Sequence, residues 1–384
     1  MKVAVLGYGT VGAGVYSMLS DAPGMEAGPV LVRPGKAVES FMVSDAALIF
    51  GDPTVDAVVE TLGGLDPAYS YGMRTLETGK HFITANKAMV AAHGLELAAL
   101  AREKGAAFLF SAACGGGVPF LHNLALSAET DRIEAVSGIL NGTTNYMLDA
   151  MQRRGLSYGD ALREAQSLGY AESDPTADVS GLDALRKMQL ACAVAFGVLP
   201  QSGMLCEGME HFTAADVEDI QSRGLVCRLM ARGSRAGESV SAYVEPALFP
   251  RAAPQSSVFT NNNMARYTGK RCGSIALMGQ GAGRFPTASA VLRDLAAAQQ
   301  GARSMFPENC RAAEADNREA VHSYYIRTGG FAAVRLPLRS VLAQGEVVRA
   351  VTEPMSAEKM HALAQNIRKD GNDLFFAALE EELC

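Results

Sequence analysis

Lys2-Val3-Ala4-Val5-Leu6 runs straight into Gly7-Tyr8-Gly9-Thr10-Val11-Gly12, and the stretch from Ala13 to Ser20 then has helical character. The apolar run suits a strand buried on both faces of a parallel sheet. The glycines form GxGxxG between a strand and a helix, the context this motif needs. The first permits a tight turn, the second lets backbone approach a pyrophosphate, and the third allows the helix to pack close to the strand. Free N–H groups at the helix start attract the anion. Gly7, Tyr8, Gly9, Thr10, Val11 and Gly12 are therefore expected to cradle a dinucleotide.

Further along, strands are expected at Val30–Val32, Ala46–Phe50, Asp56–Glu60, His81–Ala85 and Ala106–Ser111, with helices at Pro67–Thr78 and Met89–Lys104. This alternation predicts a doubly wound α/β sheet of the Rossmann type. The second strand ends in Val32-Arg33-Pro34-Gly35-Lys36, with two cations and no acid. Arg33 and Lys36 favour NADP over NAD, because a guanidinium can pair a phosphate bidentately; a solvated basic turn is the alternative. Glu60-Thr61-Leu62-Gly63-Gly64 and Thr84-Ala85-Asn86-Lys87 lie beyond strand ends, where ligands of open α/β sheets sit. That puts Thr61, Leu62 and Lys87 at the cofactor, unless Lys87 is only a surface charge.

Composition and length fit a globular chain of two or three domains. The chain has 384 residues, is 48% hydrophobic and carries a net charge of −7, which speaks against disorder and against a nucleic-acid partner. No apolar run nears the ~20 residues of a membrane span, and the N-terminus lacks a secretory pattern. Seven scattered cysteines without CxxC spacing read as reduced thiols of a cytoplasmic protein, and a zinc site is disfavoured. The six histidines show no ligand spacing and receive no role.

The middle of the chain is richest in chemistry. Ser111-Ala112-Ala113-Cys114-Gly115-Gly116-Gly117-Val118-Pro119 is a second Gly-rich loop able to approach a ligand or ion. Gly138-Ile139-Leu140-Asn141-Gly142-Thr143-Thr144-Asn145-Tyr146 presents a polar turn before a helix expected near Asn145. Gly169-Tyr170-Ala171-Glu172-Ser173-Asp174-Pro175-Thr176-Ala177-Asp178 precedes a helix expected from a Ser180 N-cap to about Phe196. Asp183 and Lys187 share one face of it at i,i+4, where the helix turns apolar. In a half-buried cleft their titration would be perturbed, as general acid–base chemistry requires, and Glu172, Asp174 and Asp178 suggest a pocket for an ammonium; a solvated acidic loop is the alternative. An amphipathic stretch near Asp216–Arg232 and a strand-like Ser239–Val244 carry weaker signals. Gly279-Gln280-Gly281-Ala282-Gly283-Arg284 then opens another helix whose start could return to the cofactor.

Taken together, GYGTVG, VVETLGG, TANKA, CGGGVP, GILNGTTNYML, GYAESDPTADVSGLDALRKMQLA and GAGRFPTASAVLRDL resemble the homoserine dehydrogenase family, in its order and across roughly residues 1–300. The resemblance implies NAD(P)-dependent interconversion of L-homoserine and L-aspartate 4-semialdehyde, in the threonine and methionine branch of biosynthesis. It implies a discontinuous cofactor domain (1–118 with about 279–318), a catalytic and dimerisation domain (119–278), and a homodimer or higher homo-oligomer. Lys187 matches the family's proton donor and acceptor, Lys87 lies between nicotinamide and substrate, and an amine of lowered pKa would take the hydroxyl proton. Asp183 and Glu172 match the family's substrate-binding carboxylates and would hold the substrate ammonium, with Asp178, Tyr170, Asn141, Gly142 and Thr143 completing the substrate site. Gly169 and Gly281 join the cofactor set. A sodium or potassium ion would sit on Ser111, Cys114, Gly116 and Val118, although the family has an acid where this chain has Ser111.

Two other readings compete: a thiol-dependent semialdehyde dehydrogenase using Cys114, and a catalytically silent cofactor-binding regulatory paralogue. The tail, 319–384, has a plausible strand at Ser323–Arg327, a first helical region at Leu336–Gln344, a strand at Val347–Val351, a helix at Ser356–Lys369 and an apolar run at Leu374–Leu379. The resemblance implies an amino-acid-sensing ACT-like module, here one strand short and therefore degenerate, with threonine regulation doubtful.

Overall fold

The computed structural model describes residues 1–380; Cys384 lies outside them. The N-terminal part is a six-stranded sheet of β1 (Lys2–Leu6), β2 (Glu26–Leu31), β3 (Met42–Val43), β4 (Ala57–Glu60), β5 (His81–Thr84) and β6 (Phe108–Leu109). Its order is β3-β2-β1-β4-β5-β6, with every pairing parallel. This is the doubly wound order in which the reversal between β1 and β4 opens a crevice at the strands' carboxyl ends. Val3, Ala4, Val5 and Leu6 are all fully buried, as a central parallel strand demands.

Gly12 shows why the turn needs glycine. A Cβ there would lie 2.0 Å from the Gly7 carbonyl oxygen, so no side chain fits between the helix Thr10–Leu19 and the β1 turn. The helix Arg284–Gln299 returns from far along the chain and packs on that first helix, so close at Gly14 that a Cβ would meet Arg284 at 2.9 Å.

One expectation here fails: Ala46–Phe50 is not a strand. Ala47–Phe50 forms one helical turn, and the edge strand is the shorter Met42–Val43 just before it. A four-residue apolar run fits either state, and burial of Ile49 and Phe50 on one side is satisfied by the turn.

The second sheet is antiparallel in the order Gly273–Gln280, Asn262–Gly269, Ile133–Ile139, Leu225–Ala236, Ser239–Pro250. The helix Leu182–Phe196 lies across it, packing on the last three of those strands and on the helices Lys87–Lys104 and Phe120–Thr130. The stretch read as amphipathic over Asp216–Arg232 divides into a helix, Ala214–Ser222, and the start of the long strand Leu225–Ala236.

The tail departs most from expectation. Leu336–Gln344 is not a helix: Leu338–Ala343 is a strand, and the preceding helix is only Gly330–Ala333. With Tyr324–Gly329, Val347–Thr352, the helix Ala357–Lys369 and Leu374–Leu379, the order is a complete βαββαβ with four strands, not one short. Its sheet is antiparallel throughout and joins the second sheet, because Leu374–Leu379 pairs in parallel with Ser239–Pro250 at Ala247 and Ala378. Glu245 is fully buried at this junction and takes the His361 ring at 3.1 Å.

No helix among the described residues is long and apolar enough to cross a membrane.

Candidate active site

The helix carrying Asp183 and Lys187 starts one residue later than expected. Ser180 ends the short helix Thr176–Val179, and Gly181, at φ 84°, makes the corner before Leu182–Phe196. Only glycine adopts that backbone without strain, and a Cβ there would also meet Cys206 and Val244 at 3.1 Å. From Asp183 onward the helix is almost wholly buried, so the i,i+4 pair is carried into the interior.

Asp183 joins two lysines from different parts of the chain. Its Oδ2 lies 2.7 Å from Lys187 Nζ and its Oδ1 lies 3.1 Å from Lys87 Nζ. Lys87 is delivered by the end of β5, where Asn86 caps the helix Lys87–Lys104 by accepting the Met89 N–H. That corner is braced from β4. Buried Glu60 accepts from Leu62 N at 2.6 Å, from Gly63 N, and from the Thr84 hydroxyl at 2.5 Å, while Asn86 donates to the Gly64 carbonyl at 2.6 Å. Burial raises the Glu60 carboxyl, against these hydrogen bonds.

Lys187 Nζ also donates to the Leu140 carbonyl at 2.6 Å. Burial alone would lower this ammonium's pKa, but the paired Asp183 outweighs it and holds the amine above its ordinary range. The expectation of a lysine with lowered pKa is thus corrected: in the free protein it is a protonated acid. Burial pushes Asp183 up, and the two lysines bring it well below the usual carboxylate range.

Asn141 ties two of the carboxylates together. It caps the helix Gly142–Arg154, which begins three residues before the expected Asn145, through its side-chain oxygen and Thr144 N at 2.8 Å. Its amide donates to Asp178 at 2.7 Å and to Asp183 at 2.9 Å. Thr143 donates to the Tyr170 carbonyl and lies 3.2 Å from Asp178. Gly142 sits where a Cβ would meet the Asn261 carbonyl at 2.8 Å. Asp178 forms no ion pair among the described residues, and burial raises its carboxyl, with Asp183 adding to the effect.

The acidic loop is not one pocket. Glu172 and Asp174 are exposed; Asp174 bonds Thr176, and the Glu172 carboxylate meets no partner among the described residues. Gly169 is an exposed corner beside them. Of the acids in this loop, only Asp178 joins the lysine cluster.

The cofactor side is a cleft of about 1070 Å³ lined by Gly7, Tyr8, Gly9, Arg33, Lys36, Thr61 and Leu62, among others. Thr10, Val11 and Gly12 form the helix start beneath it. Gly281 lies at the other glycine loop: a Cβ on Gly116 would fall 2.4 Å from its carbonyl oxygen.

In the loop expected to hold a cation, Ser111 is buried and its N–H donates to Asp294 at 2.7 Å. Burial pushes Asp294 up to about 7. The carbonyls of Cys114 and Gly116 accept no hydrogen bond among the described residues, whereas the Val118 carbonyl accepts from Phe120 N. Cys114 is fully buried and burial pushes its thiol up to about 12, which leaves no thiolate for covalent chemistry near neutral pH. The thiol-dependent reading therefore lacks its nucleophile.

Sequence reasoning missed four groups. The Leu140 carbonyl and Asn86 stood in quoted motifs, but their partners are distant in the chain. Asp294 lay inside the last family block without a role. Asn263 carried no motif signal at all, yet it is fully buried with both amide atoms unpartnered and packs against Gly281.

A dinucleotide cradle leading to a lysine–carboxylate–lysine array defines the class: an NAD(P)-dependent oxidoreductase acting on a CH–OH group. The homoserine dehydrogenase family profile matches residues 119–296, and that of the homoserine dehydrogenase NAD-binding domain matches residues 7–111. The homoserine dehydrogenase of Synechocystis is 37% identical over 319 residues, covering 77% of this chain and 72% of that protein. That of Corynebacterium glutamicum is 38% identical over 317 residues, covering 77% and 71%. The crystal structure of a homoserine dehydrogenase from Thiobacillus denitrificans superposes with a TM-score of 0.87 at 29% identity, covering 99% of this chain and 98% of that one. The chain belongs to the homoserine dehydrogenase family.

Proposed function

We propose that Lys187 moves the proton in the interconversion of homoserine and aspartate 4-semialdehyde, with Lys87 stabilising charge on the reacting oxygen. The carrying observation is the fixed geometry of Lys187, held between Asp183 at 2.7 Å and the Leu140 carbonyl at 2.6 Å. A nicotinamide cofactor held by Gly7, Tyr8 and Gly9, with Thr61 and Leu62, would take or supply the hydride. In the reducing direction the protonated Lys187 polarises the aldehyde oxygen and gives it a proton as the C–H bond forms. In the oxidising direction a neutral Lys187 accepts the hydroxyl proton as hydride leaves the carbinol carbon. The Lys187 held protonated by Asp183 suits the reducing direction without prior deprotonation.

The substrate ammonium is assigned to Asp178, which lacks an ionic partner among the described residues and is oriented by Asn141 and Thr143, with Gly142 and Tyr170 next to Thr143; the exposed Glu172 is assigned to the substrate on resemblance alone. Gly169 is assigned to the cofactor set on resemblance alone. Arg33 and Lys36 line the cleft where a ribose 2′-phosphate would lie, which supports NADP over NAD. Ser111, Cys114, Gly116 and Val118 would hold sodium or potassium; the free carbonyls of Cys114 and Gly116 fit such an ion, whose charge would steady the loop. A homo-oligomer is supported by the strand Gly273–Gln280, whose outer face leaves Met278 60% exposed. The direct test is NADPH oxidation with aspartate 4-semialdehyde by the wild type and Lys187→Ala. A rate unchanged in the variant contradicts the assignment.

A further inference from the structure

Arg368 lies in the last turn of the tail helix Ala357–Lys369 and reaches across 161 residues of chain to Glu207. Its Nη1 donates to Glu207 Oε2 at 2.9 Å and its Nη2 to Glu207 Oε1 at 2.7 Å, while Nε and Nη2 also donate to the Leu374 carbonyl. A two-pronged pair of this kind fixes direction as well as distance. Both side chains are largely buried, and among the described residues the Glu207 carboxylate has no hydrogen-bond partner but Arg368. Backbone contacts hold the segment around Glu207 on two sides. Leu205–Cys206 is a two-residue strand paired with Tyr243 and Val244, and the Glu207 N–H donates to the Val244 carbonyl at 2.8 Å. The same segment grips the corner between the helices Thr176–Val179 and Leu182–Phe196. There Met209 N donates to the Val179 carbonyl at 2.9 Å and the Cys206 thiol to the Ser180 carbonyl at 3.1 Å. Gly208 is so close that a Cβ would fall 2.2 Å from the Val179 carbonyl oxygen. That corner separates Asp178 from Asp183 and Lys187.

We propose that Glu207 and Arg368 are positioning residues for the substrate: their ion pair fastens the Cys206–Met209 segment, which holds the corner that spaces Asp178 from Lys187. The inference rests on the reading of Asp178 as the seat of the substrate ammonium and of Lys187 as the proton carrier. The substrate must reach both at once, so the turn at Ser180 and Gly181 sets whether its two ends fit together. A misplacement of about 1 Å is enough to cost on the order of 10²-fold in rate. Asn141 ties the two acids through its amide, and the Cys206–Met209 segment restrains the backbone between them. The tail therefore does more than pair with the strand Ser239–Pro250: it completes the backing of the substrate end of the site. The cofactor cleft is lined from the first sheet and includes neither Glu207 nor Arg368.

The test is steady-state NADPH oxidation by the full chain with aspartate 4-semialdehyde, alongside thermal unfolding of the same variants. Glu207→Gln keeps the shape and loses the charge; Arg368→Met keeps much of the length and loses every donor. Each should raise the KM for the semialdehyde by about five- to tenfold, with the KM for NADPH within about twofold of the wild type. Arg368→Lys, which keeps a charged contact, should recover most of the loss. The double variant, Glu207→Gln with Arg368→Met, should be no worse than the worse single, because both act through one link. Arg368→Met alone strands a buried carboxylate; should it fail to fold, the double variant has no unpaired charge and carries the test. A merely structural pair would lower the Tm in these variants and leave both KM values unmoved, and that result overturns the proposal. So does a multiplicative rise in the double variant. Asp178→Asn, measured alongside, should raise the semialdehyde KM by more than about tenfold. An unmoved KM there overturns the assignment of Asp178 and the proposal with it. A raised KM there, with unmoved values in Glu207→Gln and Arg368→Met, overturns the positioning role alone.

Discussion

Asn141 donates its side-chain amide to Asp183 Oδ2 at 2.9 Å, the same oxygen that pairs with Lys187 Nζ at 2.7 Å. One oxygen thus receives a helix-capping residue and the Lys187 amine together. The orientation of Asp183 is set by the start of the Gly142–Arg154 helix as well as by its own helix.

Asp183→Asn should leave two lysines without their counter-charge. Lys187 then loses what opposes burial, so its pKa falls. Homoserine oxidation needs the neutral amine, so its rising limb should move to lower pH. In the reducing direction, activity should instead fall off at lower pH than in the wild type. pH–rate profiles in both directions check the sign, and an unmoved limb contradicts Asp183 control of Lys187.

The same pairing has a stability consequence. Asp183 is depressed in the folded state, so its contribution is present above the unfolded carboxylate range and is lost as pH falls through the folded value. Lys187 is raised, so its contribution is complete below the unfolded lysine value and is lost as pH rises through the folded one. Urea unfolding of the wild type against Asp183→Asn should show a gap of about 3–5 kcal/mol near pH 7, the cost typical of uncompensated buried charge. The gap should narrow below about pH 4.

Lys187→Ala and Lys87→Ala should each reduce kcat by on the order of 10²–10⁴, the usual reach of positioned acid–base catalysis. Because both amines lean on Asp183, the double variant should lose much less than the product of the two factors. Full multiplicativity would show that the lysines act independently.

Arg33→Ser with Lys36→Ser should raise the KM for NADPH by more than tenfold and leave that for NADH nearly unchanged. Equal or better use of NADH by the wild type would already dismiss the phosphate role for these two residues.

Truncation after residue 318 should yield insoluble protein rather than a deregulated enzyme. The strand Ser239–Pro250, buried along nearly its whole length, would lose its neighbour Leu374–Leu379, and Glu245 its His361 partner. An exposed apolar edge of this kind aggregates. A soluble, active 1–318 chain would show that the tail is dispensable.

How much was legible in advance follows from the range of each interaction. The GxGxxG turn and the Asp183–Lys187 pair depend on neighbours within a few residues, and both stand where the pattern placed them. The short elements fared worse: Ala46–Phe50 and Leu336–Gln344 were each assigned the wrong state, since runs of that length fit helix and strand alike. The tail's fourth strand was missed for the same reason.

Sequence by itself determined the glycine turn after the first strand, the family and the helix that carries the Asp183–Lys187 pair, because local spacing governs backbone turns and helix faces. Tertiary structure alone decided that Lys87 meets Asp183 across about a hundred residues of chain, and that the Leu140 carbonyl takes Lys187. It also left Asp294 and Asn263 with buried, unpartnered atoms beside a glycine loop. Those facts depend on which surfaces pack together, and burial then sets the charge each group can keep.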